Sequence, residues 1–385
     1  MNDLKRIVVL PSEPIEEYLK LGTTYEQMEQ YFNPGGYFDE VYCLSLWGKD
    51  IKKIGKVTYV KCRPYNLSRI VKKIGPLVVR AYGGYISSDL AQIGRVRNIP
   101  IVTSIHDRRP SFIFKSVGYS DYLICMSNVV KESVLKQVEF DKKKIWILPN
   151  RIDEELMKKT SDDVMNKLFE SQYGTGKHIL HVGRKTEEKN LDTLIRALPL
   201  LARDVSVIFV GQGDCEIYKQ LAQKLNVSER VFFEQAIEHQ KLPALYSWCD
   251  CFCVPSRDEG FGMVFIEAAA CEAAIVTSNI SPMNEYLTSG KDAILVDDYN
   301  NPEAVADALN IVLDNKVDVE RMKRNARKVA LKFTQKEIDS HEADIYKTII
   351  EQKPEYKKMP WIEITKLKLK YEKRLLRSFL LRYKK

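Results

Sequence analysis

The sequence has little of what membrane-spanning, secreted or metal-centred proteins need. No apolar run in its 385 residues approaches the ~18 residues of a transmembrane helix. The first apolar stretch, residues 7–10, is too short for the core of a signal peptide, and no small-residue cleavage site follows it. Only five histidines occur, and no two cysteines have the Cys-x-x-Cys spacing that zinc sites favour. We therefore expect a cytoplasmic protein without a metal site.

The eight cysteines fall mostly inside apolar runs, which is typical of buried thiols. Cys249, Cys251 and Cys253 alternate through one such run. Because side chains alternate across a β-strand, all three are expected on the same face of a strand. We predict reduced, buried cysteines rather than disulfides or metal ligands.

Length and composition indicate a globular protein of two domains. At roughly 100–200 residues per domain, 385 residues exceed one ordinary domain, and 45% hydrophobic with 29% charged residues is usual for a folded chain. The net charge of +8 is concentrated in residues 353–385, where twelve Lys or Arg stand against three Glu and give +9. The rest of the chain therefore carries −1, and we expect no nucleic-acid partner.

Short apolar runs alternate with segments of helical periodicity, which predicts doubly wound α/β domains. A polar stretch, residues 153–177, separates two such series, so we predict an N-terminal Rossmann-like domain over residues 1–153 and a C-terminal one over residues 154–335. Two such sheets facing each other would form a deep ligand cleft beyond the carboxyl ends of their strands. The expected strands are 5–10, 41–46, 77–80, 101–105, 122–126 and 145–148, then 178–182, 205–210, 231–233, 251–254, 274–277 and 294–296.

The most informative segment joins a strand end to a helix start. Residues 255–270 read Pro-Ser-Arg-Asp-Glu-Gly-Phe-Gly-Met-Val-Phe-Ile-Glu-Ala-Ala-Ala, with a helix expected from about Gly262. Free backbone N–H groups at such a helix start favour an anion such as phosphate. Glu259 and Glu267 flank this start, and Glu267 interrupts an apolar face, where a buried carboxylate needs partners. The pair suits the two sugar ends of a nucleotide-sugar; an exposed acidic loop beside a surface helix is the alternative.

A second strand–loop–helix segment contributes cations. Gly183 permits a tight turn after a strand, and Asn190 is a candidate N-cap of the next helix. Arg184 and Lys189 then lie in a loop at the carboxyl edge of the sheet. Arg as a fork and Lys as a point charge are suited to hold a diphosphate, although basic loop residues are often simply solvated.

Two further strand ends carry candidate residues. Gly211 follows a strand and would let the backbone pass close to a ligand, so we count it, with Gly183, among the donor-binding candidates. His106 ends a strand of the first domain in a chain with only five histidines. It is a candidate ligand contact, with hydrogen bonding to loop carbonyls as the alternative.

With these motifs the chain resembles the retaining nucleotide-sugar glycosyltransferases of family 4, which have the two-domain GT-B fold. The resemblance covers nearly all of residues 1–350. It rests on an E-x7-E element, a G-R-x4-K-N signature, a strand-end histidine and a P-N-G-V-D hinge, which occur here as Glu259 to Glu267, Gly183-Arg184 with Lys189-Asn190, His106 and Pro149-Asn150-Arg151-Ile152-Asp153.

The resemblance implies a role for each matching residue. Arg184 and Lys189 would neutralise the donor diphosphate and the charge that grows on it as the leaving group departs. Glu267 would accept hydrogen bonds from the ribose hydroxyls, and Glu259 would hold hydroxyls of the transferred sugar. His106 would contact that sugar near the reacting carbon. Further donor contacts would come from the backbone of Phe261, Gly262 and Met263.

The implied reaction transfers a sugar, with retention and without an obligatory metal, from a UDP- or GDP-sugar to a hydroxyl of a saccharide or lipid-linked saccharide. No protein nucleophile is implied, because the departing phosphate would deprotonate the acceptor. The family's Gly-Gly loop after the first strand corresponds to residues 11–24, so Lys20 and Gly22 are the candidate acceptor-side residues. Two other functions stay open: a sugar phosphorylase or epimerase on the same fold, and a non-catalytic nucleotide-sugar-binding protein.

The C-terminal segment divides into two parts. We expect residues 336–352 to form a helix that packs back on the N-terminal domain. Residues 353–385 carry apolar residues at three- and four-residue steps with Lys and Arg between them, which predicts a basic amphipathic helix. Through residues 361–385 it would attach peripherally to an anionic cytoplasmic membrane face, pack on the first domain or contact another subunit. Its apolar positions are Ile364, Leu367, Tyr371, Leu375, Phe379 and Tyr383.

Overall fold

Two parallel β-sheets organise the chain, one in each of two structural units. With side chains up to residue 378, the computed structural model describes residues 4–20, 22–47, 52–315, 317–352 and 356–382. Unit 1 combines Met1–Pro149 with Ile338–Lys385, and unit 2 is Asn150–Glu337. The sequence predicts divisions after residues 153 and 335, whereas the structure divides the chain after residues 149 and 337.

Unit 1 is built on a sheet whose described strands are β1 (Arg6–Leu10), β2 (Glu40–Ser45), β3 (Lys52–Ile54), β4 (Val57–Lys61), β5 (Val78–Tyr82), β6 (Ile101–Ile105), β7 (Tyr122–Cys125) and β8 (Ile145–Ile147). Their order is β3-β4-β2-β1-β5-β6-β7-β8. All neighbours are parallel except β3 and β4. The sequence predicts six of these strands and misses β3 and β4. The edge strand β3 exposes Lys52 and Lys53 and so has no apolar run.

Helices cover this sheet on both faces, which is why its central strands are buried throughout. The helices before the domain division are α1 (Ile15–Lys20), α2 (Tyr25–Phe32), α3 (Leu67–Ile74), α4 (Ile86–Ile93) and α5 (Asn128–Gln137). All five residues of β5 and of β6 are buried. Leu90 and Ala91 of α4 share one core cluster with Val79 and Ile101. This burial explains why continuous apolar runs predict these strands.

Unit 2 repeats the architecture with a fully parallel sheet. Its described strands are β9 (Lys177–Val182), β10 (Val205–Val210), β11 (Val231–Glu234), β12 (Cys251–Val254), β13 (Ile275–Ser278) and β14 (Ile294–Val296), all six of them predicted. Their order is β11-β10-β9-β12-β13-β14. The helices are α6 (Asp163–Tyr173), α7 (Leu191–Ala197), α8 (Glu216–Lys224), α9 (Leu242–Trp248), α10 (Met263–Ala270), α11 (Met283–Tyr286), α12 (Pro302–Leu313) and α13 (Val319–Ala330).

The penultimate helix, α14 (Gln335–Glu351), joins unit 1 through a buried ion pair. Arg80 of β5 and Glu342 lie 3.3 Å apart, with side chains 2% and 1% exposed. Tyr346 donates to Glu342 at 3.0 Å, and its ring meets Phe38 edge-on at 5.2 Å. α14 therefore packs against the sheet of unit 1.

The last helix, α15 (Trp361–Arg382), packs its predicted apolar stripe on unit 1. Tyr371 is fully buried and donates to Asp89 of α4 at 2.8 Å. Leu367 and Leu375 pack against the same core cluster. The side chain of Phe379 and all of Tyr383 lie outside the described residues. Of the three roles expected for this stripe, the structure contains packing on the first domain.

No helix in the described ranges is long and apolar enough to cross a membrane.

The eight cysteines are free thiols, and all except the half-buried Cys215 are buried. Cys251 and Cys253 lie in β12 and pack in the core of unit 2, whereas Cys249 precedes that strand at the end of α9. Burial raises the pKa of Cys125 to about 12, which keeps this thiol protonated at neutral pH.

Candidate active site

Two loops of unit 2 meet because the strands that precede them are neighbours. β9 and β12 pair in parallel, so the loops that follow them leave from the same edge of the sheet. The first loop carries residues 183–190 and the second carries residues 255–262. Arg257 in the second loop ties them together: its backbone N–H donates to the Glu188 carbonyl at 2.7 Å, and its side chain forms a forked ion pair with Asp192 at 3.0 Å.

The closest contact between these loops is an ion pair of two predicted site residues. Lys189 Nζ donates to Glu259 Oε1, and the two side chains are 14% and 9% exposed. Ser256 donates to the same carboxylate oxygen at 2.9 Å. A mostly desolvated cation and anion are thus placed together at the carboxyl edge of the sheet, where a charged ligand would meet both.

Asn190 occupies the predicted N-cap position but does not cap the helix with its side chain. It adopts the left-handed conformation at φ 56° and makes no side-chain cap hydrogen bond. Its fully buried amide instead donates to the Pro255 and Tyr299 carbonyl oxygens, at 2.8 Å each. The residue therefore fixes the backbone beside Lys189 to the loop that carries Glu259.

The glycines that the site requires are Gly211 and Gly262. Gly211 has φ +147°, and a Cβ there would lie 2.0 Å from the Gly183 carbonyl oxygen. Gly262, at φ +81°, precedes α10, and a Cβ there would lie 2.6 Å from the Phe265 ring. Gly183 has no positive φ, so the tight turn expected there needs no glycine backbone. The close approach at Gly211 brings the backbone after β10 against that after β9.

Three more predicted donor-binding residues lie just before α10 or within its first two turns. Met263 begins the helix, and Phe261 is buried, with its carbonyl oxygen accepting from Tyr286 at 2.9 Å. Glu267 is 8% exposed and accepts two hydrogen bonds. One comes from His239 Nε2 at 3.0 Å and the other from the Tyr246 hydroxyl at 3.2 Å. The buried carboxylate thus has the partners that its place among apolar residues demands.

Arg184 and Lys185 lie side by side in the first loop with opposite environments. Arg184 is exposed and pairs with no residue in the described part of the chain. Lys185, which the sequence analysis missed, is buried and donates to the carbonyl oxygens of Gly211 and of Glu234, the latter at 2.7 Å. Burial lowers the pKa of Lys185. Lys185 therefore holds the carboxyl ends of β9, β10 and β11 together. Arg184, in contrast, faces solvent.

In unit 1, His106 lines a cavity of about 340 Å³ at the carboxyl ends of β1, β5 and β6. Its Nε2 lies 2.9 Å from the Ser104 hydroxyl. The other lining residues are mostly aromatic or glycine: Tyr18, Tyr31, Tyr82, Gly83, Gly84, Tyr85 and Phe112, with Ser12, Ile105 and Asp107. A ring-lined cavity with a few polar groups is typical of a small-molecule site. The sequence signal for it was the strand-end position of His106.

The candidate acceptor-side residues of the segment after β1, Lys20 and Gly22, are not among the residues that line this cavity. Lys20 ends α1 and forms an exposed ion pair with Glu17 at 2.7 Å. Gly22 has φ +87°, and a Cβ there would meet nothing within 4 Å. Across the described ranges, no three His, Cys, Asp or Glu side chains cluster as a metal site would. A metal-free reaction stays a prediction.

Comparison with known proteins finds a family model that matches most of the second unit. Residues 166–329 match the family model described as glycosyl transferases group 1. An O-antigen chain mannosyltransferase of Salmonella typhimurium is 25% identical over 288 residues, 68% of this chain and 78% of the relative. A GDP-mannose-dependent alpha-(1-6)-phosphatidylinositol monomannoside mannosyltransferase of Mycolicibacterium smegmatis is 34% identical over 139 residues, 33% of this chain and 36% of the relative.

The solved structure of Anabaena HepE in complex with UDP matches with a TM-score of 0.72 at 17% identity, and covers 89% of this chain and 100% of that chain. The chain resembles the GT-B glycosyltransferases. This likeness confirms the predicted GT-B fold class, with one Rossmann-like sheet in each unit. The family match and the mannosyltransferase relative support a glycosyltransferase.

Proposed function

We propose that the protein is a retaining, metal-independent glycosyltransferase that moves a sugar from a UDP- or GDP-sugar to a saccharide or lipid-linked saccharide, in the assembly of a cell-surface glycan. The observation that carries the proposal is the mostly buried Lys189–Glu259 ion pair. Exposed Arg184 lies in the loop of Lys189, and Glu267 lies on α10, the helix that follows the loop of Glu259. The relatives act in similar chemistry: one is named as an O-antigen mannosyltransferase and another as dependent on GDP-mannose.

The donor roles follow from charge and position. Arg184 and Lys189 would bind the diphosphate and stabilise the negative charge that grows on it as the glycosidic bond breaks. Glu259 would turn its carboxylate to hydroxyls of the transferred sugar once Lys189 is shared with phosphate. The backbone of Phe261, Gly262 and Met263, at the start of α10, would donate free N–H groups to the sugar and the phosphate. Gly183 and Gly211 keep the floor of this site free of side chains.

Unit 1 would supply groups for both sugars. The cavity beside His106 has the aromatic faces on which sugar rings stack, and His106 would contact the transferred sugar near its reacting carbon. No side chain is assigned as nucleophile, because the leaving phosphate oxygen would take the proton of the acceptor hydroxyl. Lys20, at the end of α1, and Gly22, two residues later, remain candidates for contact with a larger acceptor.

Thermal shifts of the full chain against UDP-glucose, UDP-N-acetylglucosamine, UDP-galactose and GDP-mannose test the donor class. A ligand that binds only the folded state at 100 times its Kd adds about 2.7 kcal/mol of apparent stability, so the correct donor should raise the melting temperature by several degrees. Glu267→Ala should abolish that shift, whereas Glu229→Ala, an exposed carboxylate elsewhere in unit 2, should keep it.

Donor turnover separates the remaining functions. Release of nucleoside diphosphate with transfer to a saccharide supports the proposal. Phosphate-dependent cleavage of a glycoside without nucleotide would instead indicate a phosphorylase. Tight donor binding with neither transfer nor hydrolysis would indicate a binding protein.

We also propose that α15 attaches the protein peripherally to an anionic cytoplasmic membrane face, where a lipid-linked acceptor would lie. The inward stripe of the helix packs on unit 1, and its outward face carries a second apolar row. Ile362, Leu369 and Leu376 are 50%, 47% and 58% exposed and stand seven residues apart, which places them on one stripe of the helix. Trp361, 70% exposed, lies beside this row at the start of the helix.

Basic side chains flank the outward row. Lys366, Lys373 and Arg377 are exposed at neighbouring helical positions. Each basic residue near an anionic surface contributes about 1 kcal/mol, and exposed Leu, Ile and Trp can enter the headgroup region. Apolar and cationic groups on one face are the combination that binds anionic membranes.

Vesicle binding tests this attachment. The double variant Leu369→Glu/Leu376→Glu should weaken binding to phosphatidylglycerol–phosphatidylcholine vesicles by more than about tenfold, because it removes apolar insertion and adds repulsion. The control Leu200→Glu/Ile217→Glu, which alters two exposed apolar residues of unit 2, should bind like the wild type. Equal binding to pure phosphatidylcholine vesicles, or an equal loss in both double variants, would contradict the proposal.

A further inference from the structure

The carboxylate of Glu267 is held by one donor on each of its oxygens. His239 Nε2 donates to Oε1 at 3.0 Å, and the Tyr246 hydroxyl donates to Oε2 at 3.2 Å. A carboxylate oxygen can accept two hydrogen bonds, so each oxygen keeps one acceptor position. One acceptor position thus remains on each oxygen of the same carboxylate, which suits a pair of hydroxyls on adjacent carbons.

The two donors differ in what they can contribute. Tyr246 is fully buried on α9, and burial raises its pKa, so it is a fixed neutral donor. His239 precedes α9 in a short 3-10 turn, His239–Lys241, and its side chain is 57% exposed. The sequence analysis did not single out His239, because its partner lies 28 residues away on another helix.

We propose that His239 is a positioning residue for the donor: it orients Glu267 so that both oxygens accept from the vicinal hydroxyls of the nucleotide ribose. The inference rests on the proposed function and adds a residue and a ligand requirement to it. Without His239, Tyr246 holds only one oxygen, and the carboxylate is free to rotate about its last bond. The hydroxyl pair then loses the preorganised partner that the folded site provides.

The charges around His239 give this positioning a pH dependence. Glu267 of α10 and Asp153 face it as anions, while Glu238 and Lys241 on its own turn pair with each other at 3.2 Å. The hydrogen bond to Glu267, helped by both anions and opposed by burial, raises the pKa of His239 above its usual value. At pH below that pKa the contact is charge-assisted. As pH rises through it, His239 loses its charge, the contact weakens, and nucleotide binding should weaken with it.

Calorimetric binding of UDP and of GDP to the full chain tests the proposal, with His239→Ala and His239→Gln as variants. The nucleotide that binds the wild type should bind His239→Ala about three- to tenfold more weakly, the range for one lost hydrogen bond. His239→Gln should restore affinity near neutral pH, since its amide can also donate. The rise of Kd with pH should be present in the wild type and smaller in His239→Gln, in which titration of the nucleotide itself remains.

The 2′-deoxynucleotide distinguishes positioning from a structural effect. With only one hydroxyl of the pair present, the wild type and His239→Ala should bind it with similar Kd. In turnover, His239→Ala should raise the KM for the donor and leave kcat unchanged. Equal Kd for UDP or GDP in the wild type and His239→Ala would overturn the inference but leave the proposed function standing. Failure of both nucleotides to bind the wild type would overturn both.

Discussion

Lys189→Ala is expected to lower kcat for sugar transfer by about 10²–10³-fold, the effect of removing one preorganised group that stabilises charge in a transition state. Lys189 is held by a carboxylate, by the 3-10 turn Glu187–Lys189 and by the buried amide of Asn190 that follows it. Its ammonium is therefore placed before the substrate arrives. Because negative charge on the diphosphate grows as the glycosidic bond breaks, the loss should fall on kcat more than on KM.

The matched control for this variant is Lys219→Ala, which removes an exposed lysine of α8 in the same unit. It should retain wild-type kcat. Since Lys189→Ala also leaves Glu259 without its cation, the melting temperature of both variants should be measured. The double variant Lys189→Met/Glu259→Gln removes both charges and should stay inactive while folding normally. Wild-type turnover in Lys189→Ala would remove the diphosphate role.

The alternation of apolar runs with helical segments was enough to predict both sheets, because buried parallel strands need continuous apolar sequence. What it missed were β3 and β4 at one edge of the first sheet. Lys52 and Lys53 on β3 are exposed, and β4 is only partly buried, so neither strand needs an apolar run. An apolar run in the sequence indicates a buried strand, so a strand that is mostly exposed cannot be recognised from such a run.

The sequence singles out candidate site residues that follow strand ends, and it passes over residues whose contacts are distant in the chain. Arg184, Lys189, Glu259 and Glu267 stand in recognisable strand–loop–helix segments. Three other residues, Lys185, Arg257 and His239, contact partners that lie 26 to 70 residues away, and their own segments have no distinctive spacing. Asn190 was assigned the right position and the wrong contact, because its side chain finds carbonyl oxygens of other loops instead of its own helix.

Arg80 illustrates the same limit in the core. The sequence predicts a strand over residues 77–80, from a short apolar run. The strand continues to Tyr82, and Arg80 is 2% exposed in its middle. Its carboxylate partner, Glu342, lies 262 residues later in α14, so the local sequence around Arg80 does not predict the ion pair. Tyr82 contributes further, with its ring 5.1 Å from the guanidinium.

This pair leads to the largest stability effect that we expect. Glu342→Leu should destabilise unit 1 by about 3–5 kcal/mol, because it leaves the Arg80 guanidinium buried without its anion. Arg80→Met should cost a similar amount by stranding Glu342. The double variant Arg80→Met/Glu342→Leu should recover most of the loss, since apolar side chains of similar volume replace both charges and no buried charge remains.

Urea and thermal unfolding of the full chain, followed by far-ultraviolet circular dichroism, measure these changes. The control is Asp344→Ala on the same helix, which breaks an exposed ion pair with Lys347 and should leave the midpoint unchanged. The pair belongs to unit 1 and the proposed donor site to unit 2, so the double variant should also retain nucleotide binding. If Glu342→Leu unfolds with the wild-type midpoint, the charge on Arg80 reaches water by local opening, and α14 is not anchored to β5 by this contact. If the double variant is as unstable as either single one, packing rather than the buried charge accounts for the loss.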